Sequence, residues 1–142
     1  MAAQVIDVKA ASRGRFAAFN SGDLAHLREF IAPEGQAHFP GVPGPLGRDA
    51  WIGLWAGFRA AFPDIEVTVE DQIAEGDGVV TRWTARGTHQ GDLQGLAPTG
   101  KRLALSGVSI DRLVDGKVVE HWEYYDQLDM LQQLGVAPTS PA

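Results

Sequence analysis

The period of the hydrophobic pattern changes at Pro63-Asp64, and this change restricts the possible fold more than any other feature of the chain. Before it, Trp51, Leu54, Trp55, Phe58 and Phe62 follow one another at the spacing of an amphipathic helix face. After it, Ile65, Val67, Val69 and Ile73 alternate with Glu66, Thr68, Glu70 and Gln72, as in a strand buried on one side. An aromatic helix stripe of this size must lie on a broad apolar surface, and the sheet that begins at Ile65 supplies one.

Upstream, Val5, Val8, Ser12, Phe16 and Phe19 recur at helical spacing until Asn20-Ser21-Gly22-Asp23 breaks the pattern. Asp23 is placed to cap a short second helix carrying Leu24, Leu27 and Ile31, which Pro33 ends, and Asp49 to cap the third. Downstream, the turn Glu75-Gly76-Asp77-Gly78 leads into a strand to Thr88, and a Gly/Pro-bearing loop runs from Gln90 to Gly100. Lys101 to Val114 and Lys117 to Tyr125 read as strands joined by Asp115-Gly116, the strongest hairpin signal in the chain. A last helix holds Leu128, Leu131 and Leu134, with Gly135 at its C′ position. Tight turns between strands leave no room for a parallel crossover. The expected fold is therefore α+β, with a curved antiparallel sheet, helices packed over its concave face, and an apolar pocket enclosed between them.

The 142 residues and their even composition fit one domain spanning 1–142, with 136–142 as a frayed tail. The net charge of −6 and the dispersed Lys and Arg residues argue against nucleic acid as a partner. No apolar run is long enough for a membrane span, and the start lacks a secretory pattern, so a cytoplasmic location is expected. With no cysteine, and with His26, His38, His89 and His121 showing neither HxH nor HExxH spacing, no metal site is expected. Phosphate-cradling glycine patterns are absent as well, and no cofactor is expected.

Chemistry is sought on the last strand. By strict alternation Val118, Glu120, Trp122, Tyr124 and Asp126 share one face, and Val119, His121, Glu123 and Tyr125 the other. Asp126 follows the aromatic face. A carboxyl group among aromatic rings loses hydration, which raises its pKa and suits it to proton transfer near neutrality. Asp126 also stands where the N-cap of the last helix belongs, and that role favours the charged form. Trp122, Tyr124 and Trp83 are candidate pocket walls, Trp55 and Phe58 are core side chains that also face the substrate, and His89 is a candidate at the pocket mouth. Asp71 interrupts the alternation of its strand and would face inward as a second pocket carboxylate in an ideal strand, but a bulge, or emergence of the strand end into solvent, is expected instead.

Several segments, in order, carry a resemblance: Phe62-Pro63-Asp64, Ala74-Glu75-Gly76-Asp77, Arg82-Trp83-Thr84, Gly87-Thr88-His89-Gln90-Gly91, Pro98-Thr99-Gly100-Lys101, the run from Asp115 to Trp122, then Asp126 and Gln133-Leu134-Gly135. Together they resemble the SnoaL-like polyketide cyclases of the nuclear transport factor two-like superfamily, over nearly the whole chain. The resemblance implies a single cone-shaped α+β barrel, a homodimer through the outer sheet face, and no cofactor. It also implies an enzyme that closes a ring by intramolecular aldol chemistry on a polyketide or similar small hydrophobic substrate. By motif position its catalytic aspartate corresponds to Asp126; the resemblance places no partner histidine, and His89 stands as a catalytic candidate only through its position at the pocket entrance. An isomerase or epoxide hydrolase in the same pocket, or a small-ligand-binding protein, is the alternative that the fold leaves open.

Overall fold

The computed structural model describes residues 7–136, so Val5 and the tail from 137 lie outside the described residues. Among the described residues four helices and six strands follow the order α1 (Val8–Ser21), α2 (Leu24–Glu29), β1 (Ile31–His38), β2 (Leu46–Gly47), α3 (Arg48–Ala61), β3 (Glu66–Glu75), β4 (Gly78–Thr88), β5 (Arg102–Val114), β6 (Lys117–Tyr125) and α4 (Gln127–Gln133). The α+β class, with helices covering a curved sheet, is the one expected from the change of period. Asp23 caps α2 by accepting the His26 amide at 3.0 Å. Asp49, in contrast, lies inside the first turn of α3, where Gly47 is the N-cap and Arg28 is its partner.

The sheet order is β2-β1-β6-β5-β4-β3. β2 and β3 are its two edges, so the sheet is curved but open rather than a closed barrel. β3, β4, β5 and β6 pair antiparallel as expected, and Asp115 and Gly116, both at positive φ, make the turn between β5 and β6. β1 was not expected, and it runs parallel to β6. The Ala32-Pro33-Glu34-Gly35 segment reads as a helix stop and a turn. Pro33 is tolerated because the pairing with β6 is interrupted between Ile31 and Gln36, where no ladder amide is required of it.

Two bulges decide which side chains face inward. In β3 the register slips between Val69 and Asp71, so Glu70 is the extra residue and Asp71 turns out to solvent, 3.1 Å from Arg82. In β6, Leu113 pairs with Val118 while Arg112 pairs with Glu120, leaving Val119 extra. The strand is thereby rephased: Val118 points inward before the bulge, and His121, Glu123 and Tyr125 point inward after it.

α1 lies against β3 and β4, and α3 against β1 and β2. Between helices and sheet, Phe16, Leu27, Trp51, Trp55, Phe62 and Trp83 form the centre of a buried apolar cluster. Side chains of this size contribute roughly 1.5–3 kcal/mol each when fully buried. Among the described residues no helix is long and apolar enough to cross a membrane.

Candidate active site

A cavity of about 80 Å³ opens between α1, α3 and the inner faces of β3 to β6. Its walls are mostly aromatic and aliphatic, including Phe16, Phe19, Trp55, Phe62 and Leu105. Phe39, Phe58, Tyr125 and Met130 also line a second, outer chamber of about 350 Å³, so the two cavities share this wall. The outer chamber is more polar and is bordered by Gln127 of α4 and by Leu93, Gln94 and Leu96 of the loop between β4 and β5. Gly91 anchors that loop: its amide and that of Gln90 donate to the Ala61 carbonyl, and a Cβ there would overlap the Ala60 carbonyl.

Among the described residues, Arg15 and Glu123 are the charged side chains on the inner cavity wall. Glu123 is fixed by two donors on one oxygen, Oε2: the Trp83 indole N–H at 3.1 Å and the Ser109 hydroxyl in a short contact. Its other oxygen, Oε1, lies 3.5 Å from Nε2 of His121. His121 is fully buried, stacked on Trp51 at 4.8 Å, and its Nδ1 lies 2.6 Å from Asp111. Asp111, also fully buried, accepts from Nη2 of Arg15 at 2.7 Å. Arg15, Asp111, His121 and Glu123 thus stand in a row, hydrogen-bonded from Arg15 to His121 and within 3.5 Å from His121 to Glu123, with both ends on the cavity wall.

The electrostatics of the chain follow from burial and neighbours. Burial alone raises the Asp111 pKa, but Arg15 and His121 outweigh it and bring the carboxyl down to about 2. Burial alone lowers the His121 pKa, but Asp111 and then Glu123 outweigh it and leave it above its ordinary value. Tyr125 is pushed up to about 12 by burial and by Glu123, so it remains a phenol and a hydrogen-bond donor on the wall the two chambers share. Arg15 and Asp111 form a fully buried pair of opposite charges. Among the described residues no group of three or more His, Asp or Glu side chains is arranged to hold a metal ion.

The residues singled out from the sequence do not all meet. Trp83, Trp55 and Phe58 line the inner cavity. Asp126 does not: it is exposed at the N-cap of α4, where its carboxylate accepts the Asp129 amide at 2.9 Å. Trp122 and Tyr124 are on the outer sheet face, where Trp122 stacks on His38 at 5.5 Å and Tyr124 is 57% exposed. The physical reason is the Val119 bulge, which places the even-numbered residues after it on the side away from the cavity. His89 is buried beside Phe62 rather than at the mouth. Its Nδ1 accepts the Thr99 amide at 3.2 Å, which assigns the ring proton to Nε2.

The model of the SnoaL-like polyketide cyclase family matches residues 10–134. The chain belongs to that family. It is 31% identical over 125 residues to an aklanonic acid methyl ester cyclase, DauD, of Streptomyces sp. (strain C5), covering 83% of this chain and 75% of that protein. It is 32% identical over 120 residues to the nogalonic acid methyl ester cyclase of Streptomyces nogalater, covering 83% and 90%. The crystal structure of IdmH, a proposed polyketide cyclase from Streptomyces antibioticus, superimposes with a TM-score of 0.82 at 42% identity, over 92% of this chain and all of that one (100%). A SnoaL-like chain with cyclases as its relatives is an enzyme, a cyclase in its general class.

The polar group of this SnoaL-like cavity was missed from the sequence, although three signals point to it. Arg15 lies on the core stripe of α1 with Ser12, Phe16 and Phe19, where a lone cation is out of place. Ser109 and Asp111 fall on the face of β5 that carries Leu103, Leu105 and Leu113. The tight turn then pairs those positions with Glu123 and His121 across the hairpin, once the extra Val119 is allowed for.

Proposed function

We propose that this chain closes a ring in a polyketide methyl ester by intramolecular aldol-type addition, with Glu123 as the acid/base. One observation carries the reading: among the described residues Glu123 is the sole carboxylate on the wall of an otherwise apolar cavity, with one oxygen held and the other facing His121. The methyl ester comes from the relatives, which are named for aklanonic and nogalonic acid methyl esters.

In the reaction, Oε1 of Glu123 takes a proton from a carbon next to a carbonyl group. The enolate carbon then attacks a second carbonyl of the same molecule, so that one C–C bond forms and one C=O π bond becomes an alkoxide. Glu123 returns its proton to that alkoxide, and no atom is gained or lost. His121 serves the same step as a neighbour of Oε1 at 3.5 Å whose charged form Asp111 and Glu123 favour. Asp111 fixes the His121 ring through Nδ1. Folding the substrate so that its two reacting carbons meet falls to the aromatic walls.

The inner chamber alone is smaller than the roughly 300–1,000 Å³ usual for ligand pockets. The reading therefore puts the reacting end in the inner chamber and the rest of the substrate in the outer one. It also includes a homodimer through the outer sheet face, where Val108 pairs with Tyr124 and Ile110 with Trp122. The test is incubation with the aklanonic and nogalonic acid methyl esters. Formation of a product of unchanged mass and altered absorbance supports the reading, and recovery of both esters untouched counts against it.

A further inference from the structure

The addition leaves one charge unaccounted for, because the enolate oxygen needs a positive partner in an apolar cavity. Arg15 is 2% exposed and reaches the cavity from α1. Among the described residues its one hydrogen bond is that of Nη2 to Asp111, and its Nε is buried without any partner. A buried donor without an acceptor is costly and uncommon in folded proteins. The guanidinium carbon lies 4.3 Å from the Phe16 ring centre and 5.1 Å from that of Trp55, so aromatic faces hold the group against the cavity wall. A guanidinium is a fork of donors in fixed geometry. Here one arm is tied to Asp111, and the Nε donor of the same group, on a residue that lines the cavity, has no acceptor.

We propose that Arg15 is the oxyanion-binding group of the inner cavity, donating to the ligand oxygen that carries negative charge when Glu123 removes the neighbouring C–H proton. The proposal rests on the acid/base reading of Glu123 for its catalytic meaning, while the anion site itself stands on Arg15 alone. It widens the substrate class. With a cation at the enolate oxygen, the C–H group removed need not be flanked by two carbonyls, and planar acidic enols and phenols become natural ligands of the cavity.

The experiment uses nitrophenols of graded acidity as probes and naphthalene as a neutral one. Each nitrophenol is added to the purified chain at a pH below its own pKa, and its absorbance reports the ionised fraction when bound. The wild-type chain is expected to bind the phenolate and to bind more acidic phenols more tightly. Arg15→Gln is expected to lose about 10- to 100-fold in phenolate affinity, the size of one charge-assisted hydrogen bond, with naphthalene affinity unchanged. Arg15→Lys keeps a charge beside Asp111, and so decides the matter if the Gln variant fails to fold. It should weaken phenolate binding less and leave naphthalene unaffected. Glu123→Gln should retain the preference for the anion.

Binding of only the neutral phenol by the wild type would overturn the proposal. So would an undiminished anion preference in Arg15→Gln, which would assign the charge to His121 instead, or in Arg15→Lys. Wild-type turnover by Glu123→Gln would remove the acid/base reading and leave the binding result standing, so the two can fail separately.

Discussion

Nε2 of His121 stands 3.5 Å from Oε1 of Glu123, and both side chains are buried. Asp111 and Glu123 outweigh the effect of burial and hold the imidazole above its ordinary pKa, which favours the charged ring beside the carboxylate. An acid/base must accept and release a proton within one turnover, and in the proposed reaction Glu123 does so beside this ring.

Glu123→Gln keeps the shape of the side chain and can still accept from Trp83, but it cannot cycle a proton. Turnover on an authentic ester is expected to fall by roughly 10²- to 10⁴-fold with ligand affinity nearly unchanged. Rate and binding constants measured on the same preparation check this. Unimpaired turnover would assign the chemistry elsewhere.

Asp126 gives the contrasting result. Asn is about as good an N-cap as Asp, so Asp126→Asn should retain both stability and turnover, whereas Asp126→Ala should lose about 1 kcal/mol of stability by denaturant titration. A large fall in the rate with Asp126→Asn, with folding intact, would return the catalytic role to this residue.

Stability should fall at both ends of the pH scale, for opposite reasons. Asp111 has a folded pKa of about 2 against an ordinary 3.8, so it contributes stability above the ordinary value and loses it as pH drops toward 2. The loss is on the order of 2 kcal/mol. The folded pKa of His121 is raised, so its contribution is complete below about 6.5 and disappears as pH climbs through the folded value. Melting temperatures across pH should show both slopes in the wild type, with the acid slope reduced in Asp111→Asn and the alkaline slope reduced in His121→Gln.

Gly107 pairs with Trp83 across β4 and β5, and a Cβ there would overlap the indole ring. Gly107→Ala should therefore displace Trp83, remove its hydrogen bond to Glu123, and lower both melting temperature and turnover, by roughly 1–3 kcal/mol in stability. Equal melting curves and rates for variant and wild type would show that the ring is not fixed by that contact.

The proposed dimer is tested on the outer face. Val108→Arg, placed opposite Tyr124, should yield a monomer in sedimentation at micromolar concentration where the wild type is a dimer. A wild type that sediments only as monomer would set the dimer aside.

Local rules were enough for much of the fold. The stripe from Trp51 to Phe62, the turn at Asp115-Gly116, the αL glycine at Gly135 and the cap at Asp126 depend on neighbours within a few residues, so the sequence alone determined them. β1 was hidden because Pro33 and Gly35 carry strong local signals against a strand, and only its distant partner β6 makes those residues extended. The Val119 bulge was hidden for a similar reason. One extra residue is invisible in a string of alternating side chains, yet it exchanges the faces of every residue after it. Tertiary structure alone therefore decided that Glu123, not Asp126, stands on the cavity wall, and that Arg15, 96 residues from Asp111 in the chain, lies against it. Burial and charge balance act through space, and their partners are fixed only when the sheet and the helices close on each other.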